Sequence, residues 1–276
     1  MDYVERRLPG SAARAINKIW HLRGSSPDEF EKIVPLPFVH LIVNLSDPYV
    51  VVRRGPKTVH ETSPDAFVSG LQSTFLVNRN PSELHHVGVE FTPFGMSRYS
   101  TFAAADLSDR LVDAETVLPG ISPVREQIRA TGGAGEALDL LESFLESRAR
   151  ADWAIPRSLE RAVDLIAADP QQRISAVATA LGITHKTLIG QFHRHCGCTP
   201  KGFADVYRHL AFLERIRTAP KDLTWVDLVS ETNYFDQAHF IRVFTRFTGM
   251  TPSQYLKYRA ETGDDDPSFI ALGQFG

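Results

Sequence analysis

The ten histidines and two cysteines carry the most obvious chemistry in this chain, and they fall into two groupings. The first is His193-x-His195-Cys196-x-Cys198. Tetrahedral zinc sites draw on Cys or His pairs at characteristic separations, and this spacing fits no ordinary pair. The same stretch recurs fifty-odd residues later as Thr245-Arg246-Phe247-Thr248-Gly249-Met250, without one of those ligands. A local structure that is built twice, once without the ligands, does not need a metal. The position of the cysteines, in a turn between helices, is also poor for a nucleophile. The second grouping is His85-His86 with Glu90, together with His40 and His60, which invites comparison with a metal-dependent oxygenase. Neighbouring residues on a strand point to opposite faces, so of the close-set three only His86 and Glu90 share one. An ordinary strand histidine is the better reading. No catalytic residue, metal ligand or cofactor is expected, and the chain is not expected to be an enzyme. An enzyme fused to a DNA-targeting module is the rival from another class, but no catalytic set assembles to support it.

Charge points elsewhere. The net charge is −3, yet residues 157–259 hold 14 Lys and Arg against 9 Asp and Glu, while the rest holds 16 against 24. One part of the chain is therefore fit to meet a polyanion and the other is not. The two cysteines sit too close together to staple a fold, no apolar run approaches the roughly 18 residues of a membrane helix, and the first residues do not read as a secretory signal. A reducing, cytoplasmic setting and no membrane partner are expected.

The basic part contains a repeat with a period of 51 to 52 residues. Gly182 corresponds to Asn233, Ile183 to Tyr234, Leu188 to Phe240, Phe192 to Phe244, Gly197 to Gly249, Pro200 to Pro252 and Phe203 to Tyr255. In the first copy Ile174, Val177, Ala178 and Leu181 form one helix face, which Gly182 ends because the turn needs positive φ. Asn233, the next most tolerant type, takes that place in the second copy. Thr184 and Asp236 are suited to cap the following helices, which bury Leu188 with Phe192 and Phe240 with Phe244. Gly-x-Thr-Pro then ends each helix and starts another. Helix, tight turn, helix is the helix-turn-helix, whose second helix enters a major groove. Between the copies Phe203 to Ala219 reads as one helix about 25 Å long at 1.5 Å per residue, against about 34 Å between successive grooves on one face of DNA. Leu188, Phe192, Phe240, Phe244 and Trp225 are expected in the core.

Residues from Ile174 to Tyr258 resemble the AraC/XylS family DNA-binding domain. The second unit of that family reads A, three residues, G-F-x-D-Q-S-H-F, then F and G-x-x-P. Here the stretch is Val229-Ser230-Glu231-Thr232-Asn233-Tyr234-Phe235-Asp236-Gln237-Ala238-His239-Phe240, then Phe244, Gly249 and Pro252, departing at Val229, Asn233 and Ala238. Ile19-Trp20, Val34-Pro35, Leu41-Ile42-Val43, Phe67-Val68-Ser69-Gly70 and Val87-Gly88-Val89-Glu90-Phe91-Thr92-Pro93 resemble the β-rich domain that precedes some AraC-type regulators. The resemblance implies a sequence-specific regulator of transcription that binds double-stranded DNA, with RNA polymerase as a further partner and an N-terminal domain that senses a small molecule or forms a homodimer.

Within the motif, Arg242 is the residue expected to read a base, because Arg can bond guanine O6 and N7 together. Gln237 would read adenine or hold a phosphate, and Ala238 and His239 lie beside it. On the first recognition helix His185 and Lys186 supply the donors, Ile189 can meet a thymine methyl and Gly190 permits close approach of backbone. Arg194, Lys201 and Arg246 are expected on phosphates, where they position without reading.

The upstream part alternates apolar and polar residues at 39–45 and 87–91, with further short runs at 49–53, 67–70 and 74–77, as in a small β-sandwich or barrel. A short helix is expected at 94–102. The expected architecture is a two-domain α+β chain: a β-rich sensor or dimerisation domain (1–108), a helical connector (109–156), an all-α double helix-turn-helix domain (157–260) and a mobile acidic tail (261–276).

Overall fold

The strands of the N-terminal part are β1 (Asp2–Arg6), β2 (Ile16–Ser25), β3 (Phe30–Ile33), β4 (Val39–Asn44), β5 (Val50–Arg54), β6 (Lys57–Thr62), β7 (Ala66–Ser69), β8 (Leu76–Arg79), β9 (Glu83–Phe91) and β10 (Leu111–Asp113). The structure, a computed structural model, describes residues 1–26, 28–218, 237–262 and 269–272. A six-stranded sheet runs β1-β2-β9-β4-β7-β10, with every neighbouring pair antiparallel. Its register sets Ile19 opposite Val89, Leu41 opposite Val89 and Val68, and Val43 opposite Val87. All of these share one face and are buried. Alternation sends Trp20, His40, Ile42, Phe67, His86 and Glu90 to the other face.

The apolar face is covered by helices: α1 (Ala104–Leu107), α2 (Ala114–Val117), α3 (Ile121–Arg129) and α4 (Ala134–Arg148). Ile121, Ile128, Leu138, Leu141 and Leu145 form their buried side. The same core continues without a break into α5 (Arg157–Ala168), α6 (Ile174–Ala180), α7 (His185–Cys196) and the start of α8 (Pro200–Thr218). Beyond these lie α9 (Gln237–Thr248), α10 (Pro252–Thr262) and β11 (Phe269–Leu272). A second sheet runs β11-β3-β8-β5-β6.

Four local expectations differ from this. The strand expected at 74–77 starts only at Leu76, because Thr74 and Phe75 leave the sheet to meet the C-terminal domain. The helix expected at 94–102 is reduced to a 3-10 turn, Gly95–Arg98. The tail expected to be mobile holds β11, which pairs antiparallel with β3 from Phe269 opposite Ile33 to Leu272 opposite Phe30. β10 also falls inside the segment expected to be a helical connector and rejoins the six-stranded sheet.

Candidate nucleic-acid interface

The first unit is α6, a turn and α7. Gly182 adopts φ 66°, the left-handed conformation that the turn requires. Thr184 then caps α7, its side-chain oxygen accepting from the Thr187 N–H at 3.1 Å. This satisfies one of the amides that a helix start leaves without a partner. Leu188, Phe192 and Cys196, four residues apart, form the buried stripe. His185, Lys186, Gly190, His193 and Arg194 are exposed on the other side and Ile189 is half-buried. A Cβ at Gly190 would meet nothing within 4 Å, so this stretch of backbone lies open. Among the described residues no ion pair engages Lys186, Arg194 or Lys201, and Lys201 is exposed in the first turn of α8.

The second unit repeats this construction in α9. Phe240, Val243, Phe244 and Phe247 are buried, while Ala238, Arg242 and Arg246 are exposed and His239 is half-buried. Arg246 lies over the Phe247 ring, 4.7 Å from its centroid, and 3.9 Å from the Asp205 carboxylate. Gln237 opens the helix, but its side chain is outside the described residues, as are Trp225, Asn233, Tyr234, Asp236 and the first helix of this unit. Both recognition helices end on a left-handed glycine, Gly197 at φ 74° and Gly249 at φ 70°. Both following helices are capped by threonine: Thr199 Oγ1 accepts from the Gly202 N–H, and Thr251 and Gln254 bond reciprocally. The 19 residues of α8 join the units. They span about 28 Å at 1.5 Å per residue.

The β-rich domain touches both units at the same point of the repeat. Ser108 Oγ donates to the Gly197 carbonyl at 2.7 Å, and a Cβ on Gly197 would collide with the Ala104 carbonyl. Thr74 Oγ1 donates to the Arg246 carbonyl at 2.9 Å, and the Phe75 ring lies against Gly249. Sequence reasoning did not find these contacts. The glycines were legible as turn residues, not as seats for another domain.

The histidine and cysteine groupings are dispersed. Cys196 faces the core, His193 faces solvent, and burial raises the Cys196 thiol and pushes that of Cys198 up to about 12, so both are protonated thiols near neutral pH. Among the described residues no three His, Cys, Asp or Glu side chains gather as a metal site. His85 and His86 take opposite faces. His86 accepts from Trp20 Nε1–H at 3.2 Å through Nε2, so its proton sits on Nδ1 and is donated to the Tyr49 oxygen at 2.9 Å. Burial holds His86 at about 4, hence neutral. His60 is exposed on β6, and His40 lies 3.7 Å from Glu90.

Residues 177–258 match a family described as a helix-turn-helix domain, and residues 9–113 match a domain of unknown function, DUF6597. No curated protein matches the chain. Among solved structures, ToxT from Vibrio cholerae is 11% identical over 93% of this chain and 98% of its own, with a TM-score of 0.46. Unsaturated fatty acid-bound ToxT is 10% identical over 96% of this chain and 97% of its own, with a TM-score of 0.43. A probable AraC family transcriptional regulator from Rhodopseudomonas palustris is 20% identical over 37% of this chain and 96% of its own, with a TM-score of 0.33. The C-terminal domain is a helix-turn-helix domain of the AraC type. The class that this domain defines is the DNA-binding regulator of transcription, a class generally without enzymatic activity. No helix among the described residues is long and apolar enough to cross a membrane.

Proposed function

We propose that the chain binds one asymmetric site on double-stranded DNA, with α7 and α9 in successive major grooves and α8 setting their separation. The observation that carries this reading is the duplicate construction: two helices with equivalent buried stripes and equivalent glycine ends, each showing an exposed basic face, on one connecting helix. In this reading Arg242 bonds a guanine edge, with Gln237, Ala238 and His239 at the same groove. Lys186 and His185 serve the other groove, where Ile189 meets a thymine methyl and Gly190 lets the backbone approach. Arg194, Lys201 and Arg246 hold phosphates.

The N-terminal domain is read as a sensor of a small molecule. A domain that holds both recognition helices by their C-terminal turns can pass a change to both at once. One observation favours the alternative, an oligomerisation module: β1 is an outer strand of its sheet and exposes Tyr3 and Val4. The mass of the chain in solution separates the two.

The test is binding to DNA from the chain's own promoter region at two salt concentrations, with Arg242→Ala and Lys186→Ala alongside. Arg242→Ala is expected to cost about 1–3 kcal/mol on the preferred site and to relax its specificity. Lys186→Ala is expected to lose preference at the other groove. Weak, unselective binding that modest salt abolishes would be phosphate attraction alone and would sink the reading.

A further inference from the structure

The helix-covered face of the six-stranded sheet is not closed everywhere. Between β1, β2, β9 and the loop from α3 to α4 lies a cavity of about 600 Å³. Three features of its wall can meet an anion.

The first is the start of α4, a helix of 15 residues. Thr131, Gly132, Gly133 and Ala134 line the cavity, and no side chain caps the helix at Gly133. The first-turn amides of such a helix carry partial positive charge and lack intrahelical partners. A Cβ placed on Gly132, Gly133 or Gly135 would meet nothing within 4 Å, so the approach to those amides is open.

The second feature is a histidine pair. The register of β2 on β9 brings His21 and His85 onto this face, with their Nε2 atoms 3.2 Å apart. One nitrogen must donate and the other accept. His21 is only 8% exposed, and its Nδ1 is buried with no hydrogen-bond partner among the described residues. Burial, and then Arg23, lower the affinity of both rings for a proton. The third feature is Arg23, two positions along β2 on the same face, whose guanidinium reaches Glu83 at 3.4 Å. The acidic residue in the lining is Asp2.

A buried imidazole nitrogen without a partner costs free energy in the empty protein. An oxyanion offsets that cost when the His21 ring turns to offer the nitrogen to it; it also accepts from helix amides, and its charge favours an added proton on the pair. We propose that this cavity binds a small molecule through an oxyanion group, a phosphate or a carboxylate, held by the first turn of α4 with His21, His85 and Arg23, and with Val4 against its organic part. The site would give the sensing role a location and a ligand class. It rests on that role only for its effect on DNA, not for binding itself.

The test uses the full chain, with inorganic phosphate and acetate as separate probes and chloride at matched ionic strength as the reference. Thermal shift and the ring signals of His21 and His85 are the readouts. One or both oxyanions are expected to raise Tm beyond chloride and to move both rings, and whichever acts identifies the group. Gly133→Glu places a carboxylate at the start of α4; residue 133 is extended (φ −171°) and exposed, so the variant is expected to fold. Gly133→Glu and His85→Ala are each expected to weaken binding at least ten-fold. No shift beyond chloride with either probe would overturn the proposal, and so would a shift that survives in both variants. DNA affinity is measured separately, so a failed regulator reading leaves this result intact.

Discussion

The two helix-turn-helix units share one repeat, but different cores hold them. Leu188, Phe192 and Cys196 of the first unit belong to an apolar core that runs unbroken from the six-stranded sheet through α2 to α5. Phe240 and Phe244 of the second belong to a smaller cluster with Phe212, Ile216 and Tyr255, joined from the sheets by Val34 and, on β11, Ile270. The faces proposed to meet DNA are nevertheless built alike. Turn glycines and threonine caps set the course of a recognition helix locally, while its stability is drawn from whatever lies beneath it.

The largest test of this difference is to empty each core in turn. Phe192→Ala and Phe244→Ala remove rings that are 0% exposed and are each expected to cost about 3–5 kcal/mol. Hydrogen exchange separates them. Phe244→Ala is expected to open α9 and α10 while the six-stranded sheet stays protected, whereas Phe192→Ala lowers protection in the sheet as well. Equal spread of the two effects would mean that the units share one core after all.

Next in size is a buried histidine in each region. His86 in the β-rich domain is neutral and hydrogen-bonded at both nitrogens. His209 on α8 lies between Phe244 and Phe247, 5.2 Å from each ring centroid, and neither nitrogen has a partner among the described residues. Burial drives His209 down to about 3. The unfolded chain takes up a proton near 6.5 that the folded chain refuses. Stability from this group is thus complete above about pH 6.5 and is lost as pH falls from there towards 3. Acid is expected to open the second unit early. His209→Leu should remove that part of the pH dependence and stabilise by about 1–3 kcal/mol, since it deletes two buried nitrogens that have no partner among the described residues. A urea titration at pH 7 and pH 5 decides; an unchanged pH slope in the variant would refute it.

The smallest contrast lies at the glycines. Gly197→Ala and Gly249→Ala each force a left-handed backbone on a side chain, at about 1–2 kcal/mol. Gly197→Ala is expected to cost more, because its Cβ strikes the fixed Ala104 carbonyl. At Gly249 the nearest atom, 2.8 Å away, belongs to the Phe75 ring, which can turn aside. Denaturation midpoints should rank them in that order.

The helix-turn-helix scaffold was largely legible because its signals are local. Glycines at positive φ, threonine caps and aromatic pairs four apart can all be read along the chain, and Lys186, Arg194, Ala238 and Arg242 are exposed. Strands with one buried face, such as β4 and β9, announced themselves by alternation. β1 and β6 are exposed along almost their whole length and so carry no alternation to find. The His21–His85 pair was not legible, because only the register of β2 on β9 brings the two residues together. Gly88 left a trace: a glycine inside a strand marks a close approach, here the Trp20 indole lying over it.

β11 has a consequence for the order in which the molecule can assemble. β3 is made early in synthesis, while the strand that covers its edge lies beyond the DNA-binding domain. Pairing between such distant segments must wait for loop closure and is slow to form. Until then β3 offers an unpaired edge, the kind of surface on which nascent chains associate wrongly. The second sheet therefore reaches its full width only after the DNA-binding domain has been made.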